Sequence, residues 1–238
     1  MRARSWPLIA ALLVVLLACW AWIIALAHDM YGPMTGASAW MMTLHWDYAH
    51  LLLLWVMWAV MMTGMMLPSA APMIVLVGGG RGYLVGLGYL SVWAVFSAGA
   101  TALQWVLMRL MIVSPMMEMS GRVPSALLLG IAGIYQLTPL KHACLSTCQS
   151  PMAFLTRRWR SGTLGAFRMG LDHGVYCVGC CWALMVLLFA GGVMNLVVIA
   201  ALTVFVAFEK LVPLGVWGPR VTGAALLVAA AWVATGAR

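Results

Sequence analysis

Of 238 residues, 65% are hydrophobic and only 8% are charged, and the mean hydropathy is +1.03. A soluble domain carries about a quarter charged residues, so this composition excludes a chain that covers itself in water. The 13 basic and 5 acidic residues give a net charge of +8. The basic residues lie in short segments between apolar runs, where they set membrane orientation, so nucleic acid is excluded as a partner and a lipid bilayer is implied.

Seven apolar stretches follow one another, at about 7–27, 49–67, 83–107, 124–140, 167–190, 194–212 and 220–236. Backbone polar groups in lipid must pair within their own segment, so each stretch is expected to be helical. The fold class is therefore an all-α polytopic membrane bundle of about seven transmembrane helices, forming a single domain over 1–238. Arg2 and Arg4 precede the first stretch, Leu8 to Ala27, in the manner of a signal peptide. The stretch is about 20 residues long without a clear small-x-small cleavage site, so it reads as a retained helix.

The polar segment 28–48 follows, and with its flank it holds His28, Met30, Met34, Met41, Met42, His45, Asp47 and His50. This group resembles a loose metal-collecting loop, and spacing alone does not separate that from an interfacial loop. The second stretch carries WAVMMTGMM, which sets Met61 above Met65 and Met62 above Met66, one helical turn apart. After the fourth stretch comes CLSTC, with Cys144 and Cys148 at i and i+4 on a short inner helix, preceded by His142. The fifth stretch holds HGVYCVGCCW. In a helix His173, Cys177, Cys180 and Cys181 fall within an arc of roughly 100° and share one face. The link 191–195 is short enough to make the fifth and sixth helices an antiparallel hairpin. The sixth ends in Glu209 and Lys210, which read as an ion pair near the membrane interface, while Glu209 also stands as a candidate ligand.

With the N-terminus inside, only Arg109, Arg122 and Arg238 of the 13 basic residues fall outside, as the positive-inside rule requires. That topology brings the inner ends of several elements together. His173, Glu209, Cys144 and Cys148 and the cluster Met61, Met62, Met65 and Met66 all converge on the cytoplasmic half. Thiolate and thioether sulfur are soft ligands that favour copper(I), while imidazole suits zinc, copper and iron. Helical spacing of the cysteine groups is ligand-like and ill suited to disulfides, and Cys19 alone in the first stretch reads as a small buried hydrophobe. Asp172 and His142 are expected to orient the ligands.

The run from Tyr135 to about Pro213, with CLSTC, LDHGVYCVGCCWALM, LLFAGGVMNL and the later EK, resembles a bacterial family. That family is domain of unknown function 2182, described as predicted metal-binding integral membrane proteins, and the likeness extends more weakly back to MMTGMMLPSAAP. The resemblance implies a multi-pass metal-binding protein of the bacterial inner membrane, with Cys144, Cys148, His173, Cys177, Cys180, Cys181 and Glu209 at motif positions. Gln149 stands where the family usually carries arginine.

The expected function is copper(I) handling, either transport or delivery to a membrane metalloenzyme, with a metallochaperone as a further partner. Copper(I) is favoured over zinc or iron because 20 methionines accompany the cysteines. A membrane-embedded metalloenzyme or electron-transfer subunit is the alternative, and a structural zinc site is third. The chain carries no phosphorylation loop or nucleotide domain, so any transport would be passive, coupled or driven by a partner.

Overall fold

Apolar runs without water to satisfy their backbone close into helices, and in the computed structural model these dominate the chain. The structure describes residues 6–32, 34–42, 47–212 and 215–236. Arg2, Arg4, His45, Pro213 and Arg238, on which parts of the topology, outer-loop and motif readings rest, lie outside the described residues. Within them the helices are α1 (Trp6–Met30), α2 (Ala37–Met41), α3 (Tyr48–Val77), α4 (Gly79–Arg109), α5 (Arg122–Gln136) and α6 (Pro139–Gln149). They continue with α7 (Pro151–Arg158), α8 (Gly162–Val186), α9 (Leu188–Gly191), α10 (Leu196–Leu211) and α11 (Trp217–Thr235). No β-strand forms among the described residues, although Val113 and Met119 make an isolated bridge.

Among the described residues, five helices are long and apolar enough to cross a membrane, or six if the bent pair α5 and α6 counts as one span. The stretch expected at 124–140 breaks near Thr138 and Pro139, and α6 leaves α5 at 66°. Thr138 caps α6 by accepting from the Lys141 N–H, with Pro139 in the first turn where its missing N–H costs nothing. α10 has 16 residues and carries Glu209 and Lys210 in its last turn, so its apolar part before them spans about 20 Å against about 30 Å of hydrocarbon.

α3 runs beyond its expected end at 67, through Pro68 and Pro72 to Val77. A proline cannot bond the carbonyl four residues earlier, which for Pro68 is Gly64. The Trp20 indole N–H of α1 donates to that carbonyl at 3.2 Å, which lets the helix continue. Gly78 and Gly79, at φ 65° and 54°, then turn the chain directly into α4.

The centre of the bundle is α4 against α8, and it is set by glycine. A Cβ on Gly170 would lie 2.1 Å from the Val85 carbonyl oxygen, and one on Gly88 would lie 2.2 Å from that of Phe167. The two backbones therefore approach as closely as only small residues permit. α3 packs on the other side of α4, and α1 on α3. The expected hairpin of the fifth and sixth helices takes a different form. α9 and Gly192 (φ 91°) intervene, and α10 packs chiefly against α3 rather than along α8. Asn195 caps α10 by accepting from Val197 and Val198 at 3.0 and 3.3 Å.

At the opposite end from the cysteines, several side chains of the 28–50 segment serve local structure. Asp29 accepts from the backbone of Thr35 and Gly36, and Asp47 caps α3 by accepting from the His50 N–H at 2.8 Å. Met30 and Met41 are buried in the core, while His28 and Met34 are exposed. The Tyr31 hydroxyl donates to Glu118 at 3.0 Å, and partial burial together with that carboxylate pushes the phenol up to about 12.

Candidate metal centre

The face of α8 predicted from helical spacing turns inward as one stripe. His173, Cys177, Cys180 and Cys181 are all buried, at 3%, 1%, 0% and 0% exposure. All six cysteines are free thiols. Cys180 and Cys181 both reach back to the Cys177 carbonyl, at 3.1 and 2.9 Å, so their sulfurs are held at fixed positions one turn above Cys177.

Two sulfur groups form around this stripe. In the first, Cys181 Sγ lies 3.9 Å from Met66 Sδ of α3, and the Lys210 ammonium of α10 sits between the helices. Lys210 Nζ is 2.9 Å from Cys177 Sγ, 3.8 Å from Cys181 Sγ, 3.9 Å from Met66 Sδ and 3.3 Å from Ser69 Oγ. An ammonium this deeply buried is tolerated only when acceptors surround it, and three sulfurs and a hydroxyl supply them. Tyr89 of α4 ties the group together. Its hydroxyl bonds the Met66 carbonyl at 3.1 Å and lies 3.0 Å from Cys177 Sγ. In the second group Cys180 Sγ is 4.0 Å from Cys148 Sγ of α6. Cys144, half-buried, packs over Gly179, where a Cβ would stand only 2.8 Å from its sulfur.

Glu209 faces α6 and not the sulfurs. Its Oε2 accepts from Lys141 Nζ at 2.7 Å, in a pair with 0% and 3% exposed side chains, and its Oε1 has no hydrogen-bond partner among the described residues. This corrects the expected Glu209–Lys210 pair. Neighbours on a helix point about 100° apart, so the two side chains meet different elements. Gln149, the residue in place of the family's arginine, donates to the Glu209 backbone carbonyl at 2.8 Å. Asp172 likewise faces away from the site expected for it. Its carboxylate lies 3.1 Å from Arg160 and 3.5 Å from Arg158 at the surface, instead of orienting His173.

His173 is wedged between the rings of Tyr89 and Phe154, at centroid distances of 5.7 and 5.3 Å, and its Nδ1 has no hydrogen-bond partner among the described residues. Phe154 also lines a polar cavity of about 340 Å³ with Ser146, Thr147, Arg157, Arg158 and Tyr176. One aromatic ring thus separates His173 from an open, basic recess. His142 sits half-buried on α6. Met61, Met62 and Met65 are fully buried core residues, and the sulfur contacts run through Met66.

Among the described residues, no three His, Cys, Asp or Glu side chains are gathered tightly enough to hold a metal ion. A closed tetrahedral site of the zinc type, with four nitrogen or sulfur ligands, is therefore not preformed. The Cys177, Cys181 and Met66 group is different in kind, because it already surrounds a positive charge with soft donors. Two thiols and a thioether are soft donors, the kind that suits soft metal ions.

Sequence reasoning missed Lys210 as a neighbour of the sulfurs, Lys141 as the partner of Glu209, and Tyr89 altogether. Both lysines carried a readable signal, since an ionisable residue beside an apolar span is a functional candidate. A tyrosine inside a long apolar helix carried none.

Helices long and apolar enough to span a membrane, packed around buried cysteines and methionines, define an all-helical protein. The model of the PpoB2 copper chaperone family matches residues 55–233, three-quarters of the 238-residue chain, and the protein belongs to that family. No curated protein and no solved structure matches the chain.

Proposed function

We propose that this protein carries copper(I) within the bacterial inner membrane and hands it to a membrane metalloenzyme or exchanges it with a metallochaperone. The observation that carries the reading is the meeting of Cys177, Cys181 and Met66 around one cationic position, formed by two helices far apart in sequence. The copper chaperone family supports the metal, and the resemblance to domain of unknown function 2182 falls inside the matched residues. In this reading the chain crosses the membrane seven times with its N-terminus inside, α10 being a short span near the inner face.

Cys148 and Cys180 form a second sulfur position next to the first, with Cys144 on the more accessible side. Copper(I) moves between such sites by ligand exchange, one sulfur replacing another, without a change of fold. His173 stands between the polar recess and Cys177 and serves as the inner ligand on that path. Met61, Met62 and Met65 back the site, and Glu209 acts through Lys141 on the position of α6.

The test is metal binding by purified protein in detergent under reducing conditions. About one or two equivalents of copper(I) are expected, with binding lost in the Cys177→Ser/Cys181→Ser double variant and weakened by Met66→Leu. Zinc as the sole bound metal would overturn the reading, as would undiminished copper in the double variant.

A further inference from the structure

We propose that Lys210 is a tethered cation that holds the copper position in the metal-free protein and competes with the ion for it. The proposal rests on the reading of Cys177, Cys181 and Met66 as ligands. Its own observation is that the side chain surrounded by these three sulfurs is a lysine, buried to 5% exposure, with its ammonium 2.9 Å from the nearest sulfur. An ion bonded to Cys177 and Met66 would overlap the ammonium, and two positive charges in one buried cage repel, so the two occupants exclude each other.

Ammonium and copper(I) carry the same single positive charge, so exchanging them alters the charge in the cage only through the thiol protons that leave when Cys177 and Cys181 ligate the ion. The side chain also has somewhere to go. It has a flexible four-carbon stem near the end of α10, and the adjacent Glu209 carboxylate offers Oε1, which has no hydrogen-bond partner among the described residues while Lys141 holds Oε2. Ser69 Oγ, at 3.3 Å, already holds the ammonium on the α3 side of the cage.

The functional consequence concerns release. A cation covalently fixed beside its site has a high effective concentration, so it lowers the apparent copper affinity and speeds departure when the ion is taken by a partner. A carrier benefits from that, because a buried cage of soft ligands would otherwise hold its cargo.

The experiment is a competition titration of copper(I) between the full-length protein in detergent and a chromophoric copper(I) chelator, at fixed pH. Lys210→Leu removes the charge and adds no donor atom to the cage, and it is expected to bind copper(I) at least tenfold more tightly and to surrender it more slowly. Equal or weaker binding by Lys210→Leu overturns the proposal. If wild-type protein takes up no copper(I), the ligand reading itself fails. If wild type binds through Cys177 and Cys181 and Lys210→Leu merely matches it, only the tethered cation fails.

A second measurement does not depend on that variant folding. The chain has only two lysines, Lys141 and Lys210, so ¹⁵N-lysine labelling gives two side-chain signals, assigned with Lys141→Arg. Stoichiometric copper(I) must move the Lys210 signal, and a Lys210 signal unchanged on loading overturns the proposal.

Discussion

Lys141→Met tests whether the inner end of the bundle depends on a buried charge pair. Lys141 and Glu209 meet at 2.7 Å with 0% and 3% exposure, joining α6 to α10. At an effective dielectric of 20, their attraction is about 6 kcal/mol, which roughly offsets the several kcal/mol needed to remove each ion from water. The intact pair is therefore close to neutral, but removing one partner leaves the other buried and uncompensated, at about 3–5 kcal/mol. Methionine keeps most of the lysine stem's volume, so the loss reports the charge and not a cavity. The assay is reversible unfolding in mixed micelles, followed by the loss of helix with increasing denaturing detergent. Lys141→Met and Glu209→Leu should each be markedly destabilised, and Lys141→Met/Glu209→Leu should recover most of the loss. A single-variant loss below about 1 kcal/mol, or a double-variant loss equal to the sum of the singles, would refute the reasoning.

The α4–α8 contact gives an ordered prediction. Gly170→Ala and Gly88→Ala drive a methyl into backbone carbonyls and should cost about 3 kcal/mol or more. Gly99→Ala in α4 meets nothing within 4 Å and should be neutral or stabilising by up to about 1 kcal/mol in the same unfolding assay. Equal effects at the two kinds of site would show that the helices do not pack this closely. Tyr89→Phe removes the hydroxyl that joins Met66 to Cys177 and should cost about 1 kcal/mol, and an unchanged midpoint would refute that role. At the other end of the molecule, the Tyr31 phenol is raised from its ordinary 10 to about 12. Its contribution to stability is complete below about pH 10 and is lost as the pH climbs toward 12. A tyrosinate absorbance titration should lose one late-ionising component, near pH 12, in Tyr31→Phe, and an unchanged titration curve in that variant counts against the assignment.

Much of the helical frame and the cysteine stripe were legible in the chain. An apolar run away from water has one way to satisfy its backbone, and a fixed rotation of about 100° per residue places His173, Cys177, Cys180 and Cys181 on one face. The break between α5 and α6 was less legible, because the hydropathy of 124–140 runs through the Thr138–Pro139 turn. The reach of α3 through Pro68 was hidden as well, since it relies on an indole contributed by Trp20.

By itself the sequence determined a helical, apolar chain with soft sulfur ligands at helical spacing, since composition and local periodicity act within a few turns. The tertiary structure alone decided which partners those residues meet. It selected Met66 from four equivalent methionines, gave Glu209 to Lys141, and sent Lys210 into the sulfurs. The physical reason is that side chains one residue apart on a helix diverge toward different neighbours. Which helices those neighbours belong to is set by close packing, here by the glycines that draw α4 onto α8 and by the seat of α10 on α3.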